Sequence, residues 1–177
     1  MIKQFIENFC LSTPGMRIHG ASASPLAQQH TAFAYRTDGI LSAAIGADTD
    51  MPSLATAYIP GPQVGPDGIG GTLAGALAFD DGTVAKTTNS CRFYTFYASS
   101  PVTGVAPTFG VIAGNDFPKH RPATTGDINN NIPRGNTIIG WLYLKNEGSI
   151  AFTPGTTNLD ASGVTATFMN NVGALFM

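Results

Sequence analysis

The chain has 177 residues, the length of one ordinary domain or of one domain with arms, and only 11 % of them are charged, against roughly 25 % in typical soluble domains. The net charge is −2 and the nine Lys and Arg residues are scattered, which argues against a phosphate-binding stripe and so against nucleic acid as a partner. No run approaches the roughly 20 apolar residues of a membrane span, so no membrane partner is expected.

Residues 2 to 10 predict a short helix, because Ile2, Phe5, Ile6 and Phe9 fall at i, i+3, i+4 and i+7. So short a helix needs something to dock on, its own domain or a neighbour. Ser12-Thr13-Pro14-Gly15 ends it, and residues 20 to 31 look like an irregular linker, so residues 1–30 read as a helix and arm. The β-rich domain then spans 31–177. In TAFAYRTDGILSAAI, Thr37-Asp38-Gly39 is a hairpin turn signal between strand-like runs. Residues 47 to 71 are too rich in Pro, Gly and Asp for a helix or a central strand and form a long loop. Their glycines do not follow a strand, which weakens a phosphate-cradle reading. LAGALAF follows, then the tight turn Asp80-Asp81-Gly82-Thr83.

CRFYTFYAS (91 to 99) is a clear strand. Phe93, Thr95 and Tyr97 share one face and Tyr94, Phe96 and Ala98 the other, so both faces are expected to be covered. TFGVIA (108 to 113) is a further strand, and 114 to 136 return to loop. NTIIGWLYLKN (136 to 146) is the strongest strand. Simple alternation puts Ile138, Gly140, Leu142 and Leu144 on one face, and Gly140 marks a bend or a close backbone approach. Ser149 to Thr153 is expected to pair back onto it, Pro154-Gly155 to turn, and VTATFM (164 to 169) to be the last strand. The fold class is therefore mainly β: an antiparallel sandwich, jelly roll or small barrel with long Gly/Pro-rich loops and a short N-terminal helix.

Chemistry is sparse. His19, His30 and His120 show no metal-binding spacing, and Asp48 and Asp50 lack the other ligands of a calcium loop. Asp80-Asp81 is explained by turn chemistry, and no nucleophile elbow is present. Cys10 and Cys91 read as two buried, reduced thiols, with a single disulfide between them as the alternative. Trp141 and Tyr143 are either core anchors or a sugar-stacking pair. No catalytic residue, metal, cofactor or small-molecule substrate is expected. Small neutral polar residues cost little to desolvate, so the composition suits a protein that lives against other subunits.

The run GSIAFTPGTTNLDASGVTATFMN, preceded by IIGWLYLKN, resembles the C-terminal signature of small virion proteins of tailed bacteriophages, and AFAYRTDGILSAAIGAD resembles their other shared stretch. The likeness departs at the loops 60–71 and 116–136. It implies a non-enzymatic capsid decoration or cement protein on the virion surface, made in the host cytoplasm. Its partners would be the major capsid protein lattice and copies of itself, as a homotrimer. A tail-fibre or head-fibre module that binds a receptor or glycan is the alternative. Ile2, Phe5, Ile6 and Phe9 at one end, and Leu175, Phe176 and Met177 at the other, are the expected interface anchors, because exposed apolar termini make little sense in a free monomer.

Overall fold

Alternation along one strand sets the architecture. The computed structural model describes residues 8–57, 90–99, 105–114, 117–118, 122–147 and 152–171. The central strand of its largest sheet is Ser90–Ser99, β7 in chain order. Tyr94, Phe96 and Ala98 of β7 enter the main core on one face, while Cys91, Phe93 and Thr95 are buried on the other. A strand apolar on both faces needs two covers, and this one has them.

Asn136–Asn146 (β10) and Phe109–Ala113 (β8) flank β7, and Val164–Asn170 (β11) pairs outside β10, giving the antiparallel order β11-β10-β7-β8. Phe117–Pro118 (β9) pairs with the start of β7. Two smaller antiparallel sheets come from the first fifty residues. One has the order Phe9–Cys10 (β1), Tyr35–Thr37 (β4), Ile40–Leu41 (β5). The other has Met16–Ile18 (β2), Ala27–Gln29 (β3), Thr49–Asp50 (β6). Cys10, Tyr35, Met16 and Ala27 from these sheets join Tyr94, Phe96, Ile139, Leu142 and Leu144 of the large sheet in one buried cluster. The fold is thus mainly β and sandwich-like. Among the described residues no sheet closes into a barrel.

Several sequence expectations change here. Phe9 and Cys10 are strand, not the end of a helix: Cys10 pairs with Tyr35 and is fully buried, so its backbone is committed to a ladder. Ile2, Phe5 and Ile6 lie outside the described residues. The expected linker contains β3, whose Ala27, Gln28 and Gln29 are all buried between β2 and β6. Glutamine is a weak strand former, which hid this element. Alternation also fails in β10. The register slips between Ile138 and Gly140, so Ile139 enters the main core and Ile138 leaves it. A bulge adds one residue and reverses the phase of everything before it.

Phe152 and Thr153 are not strand, and β10 pairs instead with β11, so residues 152 to 163 form a connector. Pro154-Gly155 makes the expected type II turn, with Gly155 at φ +76° and the Thr156 N–H donating to the Thr153 carbonyl at 3.1 Å. Phe152 and Leu159 pin this connector to the core, both essentially inaccessible to solvent. The second face of the large sheet is crossed by residues 124–131, a strap held by polar contacts. Thr95 donates to the Asn129 carbonyl at 2.6 Å, Asn129 Nδ2 to the Ala113 carbonyl at 3.3 Å, and Trp141 Nε1 to Asn130 Oδ1 at 3.0 Å. The asparagine run does not drive a core. It ties down the strip that covers one.

Candidate interaction surface

Alternation also fixes what the β1-β4-β5 sheet shows to solvent. Cys10, Tyr35, Thr37 and Ser42 are buried. Phe9, Arg36 and Leu41 are directly opposed across the three strands and face away from the core. Leu11 extends the same face, its N–H bonded to the Ala34 carbonyl at 2.8 Å. The turn that makes this sheet possible is Asp38-Gly39, with φ +48° and +83°. Two successive positive values give the tight hairpin whose twist matches its strands. It leaves Ile40 and Leu41 52 % and 59 % exposed and Leu11 46 % exposed, so three of the four large exposed apolar side chains among the described residues sit on or directly beside this one small sheet. Arg36 is its one strand residue with a charge.

This sheet is anchored to the bulged end of β10. Asn8 accepts from the Asp38 N–H at 2.7 Å and donates to the Asn136 carbonyl at 3.4 Å. Thr137 donates to the Arg36 carbonyl at 2.9 Å and its hydroxyl meets that of Thr37. Burial pushes the Cys10 thiol up to about 12 and the neighbouring Tyr35 hydroxyl likewise to about 12, so both stay neutral. At the other end of the chain, Asn171 donates from its backbone to the Ile139 carbonyl at 3.0 Å and from its side chain to the Ile138 carbonyl at 2.8 Å. Asn8 and Asn171 are the first and last described residues, and both are fastened to residues 136–139. The segments carrying Ile2, Phe5 and Ile6 and carrying Leu175, Phe176 and Met177 therefore start from the same end of β10. Those six anchors lie outside the described residues, while Phe9 is half-buried on the outward face.

A second constellation was not legible as one in the sequence. On the β2-β3-β6 sheet, His19 Nδ1 meets Asp50 Oδ1 at 2.6 Å and His30 Nδ1 meets Asp48 Oδ1 at 2.8 Å. Arg17 reaches Asp48 at 3.0 Å and Gln28 lies among them. The hydrogen bond from His30, then the nearby charges of His30 and Arg17, hold the Asp48 carboxyl below its ordinary range. Each carboxylate is committed to an imidazole. Among the described residues, each imidazole bonds to a carboxylate or an amide and to no hydroxyl or thiol, and no three or more His, Cys, Asp or Glu side chains converge as a metal would require. His120, Asp80 and Asp81 lie outside the described residues.

Trp141 and Tyr143 share a face, as a sugar platform would need, but their polar ends are both bonded to protein groups. The indole N–H is held by Asn130, and the Tyr143 hydroxyl donates to Cys91 Sγ at 3.1 Å. The Tyr143 ring packs 5.1 Å from Phe93 and 6.3 Å from Phe117, and burial with the Cys91 contact holds its hydroxyl well above its usual range. Cys91 thus sits in this aromatic cluster and Cys10 in the main core, both buried and with no disulfide between them. An open depression of about 420 Å³ between Ser99, Val105 and Arg134 offers one cation among neutral neighbours and no set of groups for bond chemistry. Comparison with protein-family models, with curated proteins and with solved structures returned no match.

Proposed function

We propose that this chain is a non-enzymatic structural protein of a phage virion, which stabilises the capsid by binding its lattice and copies of itself. One observation carries this reading: Asn8 and Asn171, the first and last described residues, are both bonded to residues 136–139, beside the sheet that exposes Leu11, Ile40 and Leu41. One docked surface can then engage both ends together. The surface chemistry supports it. Burying Leu, Ile, Thr and Ala against a neighbour gains apolar area without stripping water from ions. Each bound copy adds its binding free energy to the closed shell, so stabilisation grows with occupancy. A homotrimer is the expected arrangement on the capsid lattice, at its three-fold or quasi-three-fold positions.

The test is the mass of the purified full chain by light scattering, beside a Leu11→Ser, Leu41→Lys double variant. The expected result is an oligomer for the full chain, a lower mass for the variant, and melting temperatures that agree closely, because both positions are solvent-facing. Loss of co-sedimentation of the variant with undecorated capsids would accompany it. A monomer for the full chain that also ignores capsids overturns the reading. Binding to host glycans or whole cells by the isolated protein transfers it to the fibre-module alternative.

A further inference from the structure

The outer strand of the large sheet ends the ladder without any of the usual protection. β11 runs seven residues, VTATFMN, with no charge and no proline, and its register with β10 is unbroken from Asn146↔Val164 to Gly140↔Asn170. Natural edges are usually blunted by charge, proline, bulges or shortness. Among the described residues, no strand pairs with the far side of β11.

The hydrogen-bond phase says which groups stand there. The Glu147 N–H donates to the Gly163 carbonyl at 2.6 Å and the Asn171 N–H to the Ile139 carbonyl at 3.0 Å. In an antiparallel pair, hydrogen-bonded positions alternate. Odd-numbered residues of β11 therefore spend both backbone groups on β10, and Val164, Ala166, Phe168 and Asn170 direct theirs outward. Val164 returns its N–H to the Ala161 carbonyl at 2.8 Å. Ala166 and Phe168 hold the centre of the open edge.

We propose that this edge pairs antiparallel with the same edge of a second copy, about a two-fold axis through Thr167. In that register Ala166 of one copy opposes Phe168 of the other, and each exchanges both bonds. Val164 opposes Asn170, and Thr167 meets its own counterpart as a close, non-hydrogen-bonded pair. The pairing spans β11, with the Val164 N–H kept by the Ala161 carbonyl. The strand fits itself for two reasons. It carries no ionised group, so a two-fold axis opposes no like charges. Its outward side chains then pair as Thr with Thr and Thr165 with Met169, the neutral cross-strand pairs that stabilise sheets. The partly buried Val164, Ala166 and Phe168, which pack on the core, gain cover from the second copy. The five strands of the large sheet from each copy become one continuous sheet. This contact does not depend on the virion reading, since it concerns only a second copy of the chain.

The experiment uses the full chain with one added cysteine. Cys10 and Cys91 are fully buried and stay silent. Thr167→Cys places two thiols across the axis, at a spacing a disulfide can span. Thr165→Cys places its pair about 13 Å apart, four residues of strand rise. Under mild oxidation with diamide, Thr167→Cys is expected to give a disulfide-linked dimer on a non-reducing gel, and Thr165→Cys a yield at least tenfold lower. Ala166→Pro removes an outward N–H and leaves the β10 ladder intact. Its mass is expected to drop by half from an even-numbered assembly of 18.4 kDa copies, with wild-type circular dichroism. Equal cross-linking at both positions, or none at 167, overturns the proposal, as does a wild-type species that contains an odd number of copies. If Ala166→Pro does not fold, the cysteine pair still decides. A failure here with an intact trimer leaves the capsid reading standing.

Discussion

Gly140 shows how much one missing side chain decides. A Cβ there would lie 2.6 Å from the Met169 carbonyl oxygen and 3.4 Å from Met16 Cγ. The β10–β11 backbones and the β2 side chain converge on that point. Gly140→Ala is expected to cost about 1–3 kcal/mol through forced backbone shifts, read as a lower denaturant midpoint with an unchanged slope. Asp48 makes a second residue-scale case. Its carboxyl is held below the ordinary value of roughly 3.9, so it contributes stability that is present above that value and lost as pH falls through its lowered one. Asp48→Asn keeps a residue tolerant of the φ of +60° found there. The variant is expected to melt slightly below the wild type at pH 6, and the gap should shrink as pH falls from the ordinary carboxylate range through the lowered value. A gap that does not narrow at all on acidification would mean the carboxylate is not its source. Gly140 was legible in the sequence because a glycine amid Ile and Trp has few other uses. The His–Asp pairs were not, because His19 meets Asp50, and His30 meets Asp48, only when three strands lie side by side.

Among elements, those whose residues pattern strongly were readable and those held by context were not. β7, β8, β10, β11 and the Asp38-Gly39 hairpin follow from alternation and turn chemistry. β1 and β3 do not. Phe9 and Cys10 continue an apolar spacing that suits a helix, yet Arg36 and Tyr35 of β4 capture them as a strand, and β3 is written in alanine and glutamine. The face of Ile138 was misassigned because a bulge leaves no mark in hydrophobicity. The connector 152–163 was readable at its turns, and its anchoring is a quantity to measure. Leu159 is 1 % exposed and its N–H donates to the Ser24 carbonyl at 2.9 Å. Leu159→Ala is expected to cost about 2–5 kcal/mol in chemical denaturation, the range for emptying a buried leucine site. A loss well under 1 kcal/mol would show that the connector rests on the core without holding it.

At the scale of the whole molecule, composition predicts a neutral skin, and among the described residues the structure shows two unusual surfaces on it, a small sheet with exposed apolar side chains and an outer strand whose far side no other strand pairs. Neither place could be read from sequence, since each arises where distant segments meet. The same stitching has a cost in time. Met16 is bonded to Asn170 at 3.0 Å, Ala23 to Asp160 at 2.7 Å, Ser24 to Leu159, and Asn8 to Asn136. On the ribosome the two small sheets of the opening fifty residues can pair internally, but Met16, Ala23 and Ser24 meet these partners only when the stretch through residue 170 has cleared the exit tunnel. Distant pairings of this kind close slowly, so a nascent chain stalled after β10 should be cut by protease around residues 16–24 more readily than the finished chain.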